Sequence, residues 1–168
     1  SRMDDNRTKY DFTDLDLDGL LQKFLESTRE MLPDPGFDIS YNSSDKVPVI
    51  KGDMNAILQV FYNLVDNAIK FSGTSREVDI SLFSRDDEVL FCVKDYGIGI
   101  SSKDQGKIFD RFYRGDEPQR LGIKGSGIGL TIVQKIIEAH KGHLTVESKP
   151  GEGSTFCVHL PINKNREQ

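Results

Sequence analysis

A chain of 168 residues and 18.9 kDa has room for one domain with a real core plus short tails, and not for two full domains. Its net charge of -5 and pI near 5.2 argue against nucleic-acid binding, so a bound anion must be met by locally placed cations. No apolar run approaches the roughly 20 residues that cross a bilayer, and no signal-peptide pattern opens the chain, so the segment is expected in the aqueous phase without membrane contact.

Residues 1 to 12 are polar, end in Tyr10 and Phe12, and read as a linker or the end of an upstream element. The start at Ser1 reads as a cut from something larger. Thr13 or Asp14 is placed to cap a helix over 14 to 32, in which Leu17, Leu20, Leu21, Phe24 and Leu25 recur at helical spacing and Pro33 and Pro35 end the run. Phe37, Ile39 and Tyr41 alternate as a strand, and Val47 to Lys51 is a second short one.

Asp53 caps a helix over 54 to 71 whose buried side is Ile57, Val60, Phe61, Leu64, Val65 and Ala68. On the other side Gln59, Asn63, Asn67 and Lys70 fall at steps of four, four and three, forming one polar line. Such a line is either an ordinary exposed stripe or a row of amides facing a ligand.

Glu77 to Ser84 and Glu88 to Asp95 alternate around Arg85-Asp86-Asp87 and pair as an antiparallel hairpin. Asp95 thereby ends a strand and opens onto Tyr96-Gly97-Ile98-Gly99. A polar, charged segment follows, then Gly125-Ser126-Gly127-Ile128-Gly129-Leu130 and a helix over 126 to 141 that stops at Gly142. Leu144 to Ser148 and Ser154 to Leu160 form a last hairpin, and 163 to 168 are a polar tail. The order of elements gives an α+β, two-layer sandwich: a mixed, mostly antiparallel sheet with helices on one face.

Walker A is absent, because the order is Lys124-Gly125-Ser126, and the evenly spaced Gly125, Gly127 and Gly129 do not make the dinucleotide fingerprint. What remains is a run of backbone N–H groups leading into a helix N-terminus, which suits phosphate. Asp95, an acceptor-only carboxylate beside glycines that let a flat ring approach, suits an exocyclic amine, although Asp before Gly is also commonly just a turn. The Asn67 amide oxygen is suited to complete an octahedral Mg²⁺, with Lys70, Arg114 and Lys124 neutralising phosphates. In Phe109 to Arg114 the two phenylalanines, three apart, read as core anchors, while Arg111 and Arg114 share another face.

The three histidines, His140, His143 and His159, lack cysteine or carboxylate partners at metal spacing and read as core or surface residues. Cys92 and Cys157 fall inside strand runs and read as small core residues in a reducing compartment, with a disulfide between them left open.

Together these segments resemble the catalytic and ATP-binding domain of sensor histidine kinases, within the gyrase, Hsp90, histidine kinase and MutL superfamily. Asn63 to Ser72 resembles the N box, Asp95 to Gly99 the G1 box, Phe109 to Phe112 the F box and Gly125 to Leu130 the G2 box; Gly151 to Phe156 resembles the closing glycine motif. The match spans about residues 13 to 162 and implies a Bergerat-type ATP-binding fold, with 1 to 12 the end of an upstream dimerisation helix.

The resemblance also implies roles. Asp95 would bind the adenine amino group, Asn67 would hold Mg²⁺, and Asn63 and Lys70 would meet phosphates or the metal. Phe71 and Ile100 would line the adenine pocket, beside Gly97 and Gly99, with Thr155 supporting Asp95 through water. Lys124, Gly125, Ser126, Gly127, Ile128, Gly129 and Leu130 would wrap the phosphates of ATP, and residues 101 to 124 would form a lid whose Arg114 reaches the γ-phosphate.

ATP-hydrolysing members carry a glutamate four residues before the metal-binding asparagine, where this chain has Asn63. An amide is no general base, a role typically worth about 10²- to 10⁴-fold, so transfer with little hydrolysis is expected. None of the histidines has the context of a phosphoacceptor, so the nucleophile would come from a separate dimerisation domain, with a response regulator downstream. The isolated domain is expected to be monomeric and cytoplasmic, whether or not the parent protein is membrane-anchored. The alternatives are a serine/threonine kinase or ATPase of the same superfamily, a degenerate ATP-binding scaffold, and a receptor for another small molecule.

Overall fold

The computed structural model of the chain describes residues 9–32, 34, 36–44, 46–109 and 128–162. Five strands form one sheet in the order β2-β4-β5-β7-β6: β2 is Asp38–Ser43, β4 Glu77–Arg85, β5 Glu88–Asp95, β6 His143–Lys149 and β7 Gly153–Pro161. Only β2 and β4 pair in parallel, so the sheet is mixed and mostly antiparallel, as expected.

Strand alternation divides the sheet into two faces. Val78, Ile80 and Leu82 of β4, Val89, Phe91 and Val93 of β5, and Phe156, Val158 and Leu160 of β7 are buried in one core. Helices α1 (Leu17–Met31), α2 (Met54–Lys70) and α4 (Ile128–Ala139) supply its other half through Leu17, Leu21 and Leu25, the six expected residues of α2, and Val133, Ile136 and Ile137. Phe61 joins the layers, its ring 4.8 Å from Phe91 and 5.8 Å from Phe24.

The first helix starts later than its apolar spacing suggests. Thr13–Leu15 is a strand, β1, that pairs antiparallel with Ile50–Gly52 (β3), and the extended backbone there delays the helix until Asp16, whose carboxylate accepts from Gly19 N at 3.1 Å. The expected strand over 47 to 51 is reduced to β3 for the same reason, since only these residues find a partner.

The cysteines are not separate core thiols. Cys92 and Cys157 are register partners on β5 and β7, on the face turned away from the helices, and are joined as a disulfide.

Tyr10 and Phe12, which end the segment read as a linker or the end of an upstream element, pack their rings edge-on against His140, at 5.7 and 4.9 Å between centroids. His140 is buried, donates from Nδ1 to Ile136 O (2.8 Å) and accepts at Nε2 from Asp53 N (3.0 Å), which fixes the neutral tautomer. Burial lowers its pKa, consistent with that form.

Asp53 caps α2 as expected, accepting from Ala56 N at 2.9 Å, and its second oxygen accepts from Asp11 N at 2.7 Å. Those donors hold the carboxyl below its ordinary value. Its stabilisation is therefore present above the ordinary carboxylate range and is lost as pH falls through the lowered value. Asp53→Ala is expected to lower the unfolding free energy by about 1 to 2 kcal/mol at neutral pH, read from urea melts, because a cap and a tertiary link go together.

Candidate functional site

The candidate site starts from the end of β5. Parity along the strand puts Asp95 on the same face as Val89, Phe91 and Val93, so its carboxylate points under the helices and is only 5% exposed. Gly97 N donates to Oδ1 at 2.9 Å, and the Ser154 backbone N–H also donates to the carboxylate. Desolvation outweighs both donors, and the pKa is pushed up to about 6.

The loop after Asp95 is bound to two neighbours. Ile98 N donates to Phe71 O at 3.2 Å, and a Cβ on Gly97 would sit 1.7 Å from that same oxygen. Gly99 has φ of +72°, and a Cβ there would sit 1.9 Å from Lys149 O. Both glycines therefore admit the protein's own backbone, whereas sequence reasoning assigned them to the approach of a ring.

Ser148, which no sequence signal marks, organises the second neighbour. Its hydroxyl accepts from Ile100 N at 2.7 Å, donates to Gly153 O at 2.9 Å and bonds Ser154 Oγ at 2.7 Å. Gln105, from the short helix α3 (Ser102–Gln105), adds bonds from Nε2 to the Ile100 and Ser148 carbonyls.

Thr155 does not occupy the position expected of it. It pairs with Lys94, so alternation turns it to the opposite face from Asp95. Ser154, buried and register-paired with Asp95, takes the supporting place.

Helix α2 brings its polar line to the same region, since Phe71, its C-cap, is the residue on which the glycine loop is bound. Asn63 and Asn67 are half-buried, while Gln59 and Lys70 are exposed. The Asn67 side chain has no hydrogen-bond partner among the described residues. Lys70 instead pairs with Asp66 on its own helix at 2.9 Å.

Ile100 and Leu130 are half-buried against the core, as is Phe109, whose carbonyl accepts from Thr131 Oγ1 at 2.9 Å. Ile128 and Gly129 begin α4, whose N-terminus follows directly on the glycine motif. Arg114, Lys124, Gly125, Ser126 and Gly127 lie outside the described residues, as does the tail from 163.

A family model for "Histidine kinase-, DNA gyrase B-, and HSP90-like ATPase" matches residues 52–164. "Sensor-like histidine kinase SenX3" of Mycobacterium tuberculosis (strain ATCC 25618 / H37Rv) is 35% identical over 149 residues, 89% of this chain and 36% of that protein. The chain thus spans a little over a third of the length of the first curated relatives it matches. Among solved structures, the nucleotide-free catalytic domain of histidine kinase ThkA superposes with a TM-score of 0.76 at 27% identity, covering 90% of this chain and 95% of that one. Full-length ShkA in complex with AMPPNP gives 0.78 at 27% identity, covering 92% and 32% respectively.

The raised pKa of Asp95 sets a pH signature. Between the ordinary value of 3.8 and about 6 the folded chain binds more protons than the unfolded one, so this group lowers stability as pH rises through that window. Asp95→Asn removes the titration. The variant is expected to be more stable than the native apo chain at pH 7.5, by at most about 3 kcal/mol, with the difference vanishing towards pH 4 in urea melts.

Proposed function

The chain belongs to the family of histidine kinase-, DNA gyrase B- and HSP90-like ATPases, and on that premise we propose that it is the ATP-binding catalytic domain of a sensor histidine kinase. In this reading it binds Mg-ATP and passes the γ-phosphoryl group to a histidine on a separate dimerisation domain, which in turn serves a response regulator. The observation that carries the reading is the buried Asp95 carboxylate, held at a strand end against the glycine loop and the C-terminus of α2.

A carboxylate offers about four lone-pair sites, and two N–H donors leave room for an exocyclic adenine amine and a water. Because Asp95 is pure acceptor above pH 6, it selects a base that presents a donor. Phe71 and Ile100 line the base. The half-buried Asn67 amide, unpartnered among the described residues, fits the oxygen-donor chemistry of Mg²⁺, which when bound neutralises phosphate charge. Lys70 exchanges Asp66 for a phosphate oxygen, and the N-terminus of α4 faces the polyphosphate with the glycine motif before it. Arg114, Lys124 and Ser126 are assigned to the lid and phosphate contacts from sequence.

Two features support transfer over hydrolysis and over self-phosphorylation. Asn63 stands where a water-activating base would be needed. His140 has both nitrogens engaged in the core, and His159 is buried with its nitrogens against Glu88 and Thr145, so neither is an accessible acceptor.

Calorimetric titration with a non-hydrolysable ATP analogue tests the reading. The native chain is expected to bind in a Mg²⁺-dependent manner, and Asp95→Asn to lose about 10- to 100-fold, the worth of a buried charge-assisted hydrogen bond. Native affinity is expected to fall as pH drops below 6, where the carboxyl protonates. Absence of native binding at neutral pH, or undiminished binding by the variant, would overturn the assignment. With ATP and the parent's dimerisation domain supplied, label is expected on that domain and not on this chain.

A further inference from the structure

At the end of β5 remote from Asp95, three side chains converge on the sheet face turned away from the helices. Glu88 begins β5, His159 lies on β7 and His143 on β6. His143 and His159 are register partners, and Glu88 pairs with Pro161, two residues from His159, so alternation puts all three on one face. Sequence reasoning found no carboxylate partner for these histidines; the sheet register supplies one from 55 and 71 residues away (143 − 88 and 159 − 88).

The geometry is that of a ligand set. His159 Nδ1 lies 3.1 Å from Glu88 Oε1 and His143 Nδ1 lies 3.9 Å from Oε2. One nitrogen or oxygen from each of the three residues falls within 4.8 Å of the others. The rings stack at 4.2 Å between centroids, only 13° from parallel, so both Nδ1 edges address one carboxylate. On its far side His159 Nε2 is 3.0 Å from Thr145 Oγ1. The Thr145 hydroxyl is placed to take a proton from Nε2, the tautomer that leaves the Nδ1 lone pair directed at the centre shared with Glu88.

We propose that Glu88, His143 and His159 bind one divalent transition-metal ion of the Zn²⁺ class, with the fourth position open to water. Two imidazoles and a carboxylate suit zinc and its borderline neighbours, whereas Mg²⁺ and Ca²⁺ favour all-oxygen sets. Bonds of about 2.0 to 2.2 Å put tetrahedral donor atoms roughly 3.3 Å apart. The necessary contraction falls to the side chains free to make it, since His143 is 58% exposed and Glu88 36%, while His159, at 9%, stays seated against Thr145. The site is distinct from the nucleotide pocket: seven steps of about 3.4 Å along β5 separate Glu88 from Asp95, on opposite faces.

The test is calorimetric titration of the untagged chain with ZnCl₂ at pH 7.5, without reductant, so that the Cys92–Cys157 disulfide contributes no thiolate. One equivalent is expected to bind, MgCl₂ is not expected to compete, and X-ray absorption at the zinc edge is expected to show two imidazoles. His143→Ala, at an exposed position, and Glu88→Gln, an isosteric change at a half-buried one, are each expected to weaken binding at least tenfold, with His143→Ala leaving the metal-free melting temperature unchanged; Asp95→Asn is expected to bind zinc as the native chain does. No stoichiometric binding below about 1 mM, or native affinity in the His143→Ala, Glu88→Gln double variant, would overturn the proposal.

Discussion

The burial of one carboxylate at the end of β5 constrains the rest of the site. Asp95 is kept out of water although ionisation there is disfavoured, and its two N–H donors come from different segments, the loop at Gly97 and strand β7 at Ser154. For Gly97 N to reach Oδ1, the loop must lie against Phe71, which only a residue without a side chain allows. Phe71 ends α2, and Ser154 sits in the turn region organised by Ser148. One group thereby fixes the end of the helix that carries Asn67 and the start of the last strand.

Such a site is not built for stability. An apo chain of this design holds a partly desolvated charge at Asp95, a half-buried amide at Asn67 that is unpartnered among the described residues, and an exposed Lys70 ammonium paired with its helix neighbour Asp66. In the proposed reading, a nucleotide with a donor on its base and negative charge on its tail complements all three groups. Activity sites commonly carry local destabilisation of this kind, offset by the packed scaffold, here the tilted ring contacts of Phe24, Phe61 and Phe91 and the core around them.

Local signals were read well where one periodicity ran long enough to be unambiguous. The buried side of α2, its Asp53 cap and the hairpin ending at Asp95 all follow from spacing alone. Pairings between distant strands were not legible. Thr13–Leu15 carries residues that also suit a cap, and only β3, over 30 residues on, makes them a strand. Whether Ser154 or Thr155 faces Asp95 depends on the β5–β7 register, as do the Cys92–Cys157 disulfide and the meeting of Glu88 with His159. Glycines at 97 and 99 were correctly singled out, but sequence cannot tell whether a ligand or the chain's own backbone fills the space.

β5 is the element through which both sites are joined and also kept apart. Its helix-facing residues, Val89, Phe91 and Val93, lead to Asp95; its outward residues, Leu90 and Cys92, follow Glu88. Side chains of the two sets share no layer, so a perturbation at Glu88 reaches Asp95 only through the backbone ladder. That ladder is paired on both sides along its length and joined to β7 by the disulfide. Groups this far apart with no shared partners act on stability almost additively. A metal at the outward end is thus placed to clamp β5, β6 and β7 together without altering the chemistry of the nucleotide pocket, and its effect falls on the rigidity of the sheet from which Asp95 projects.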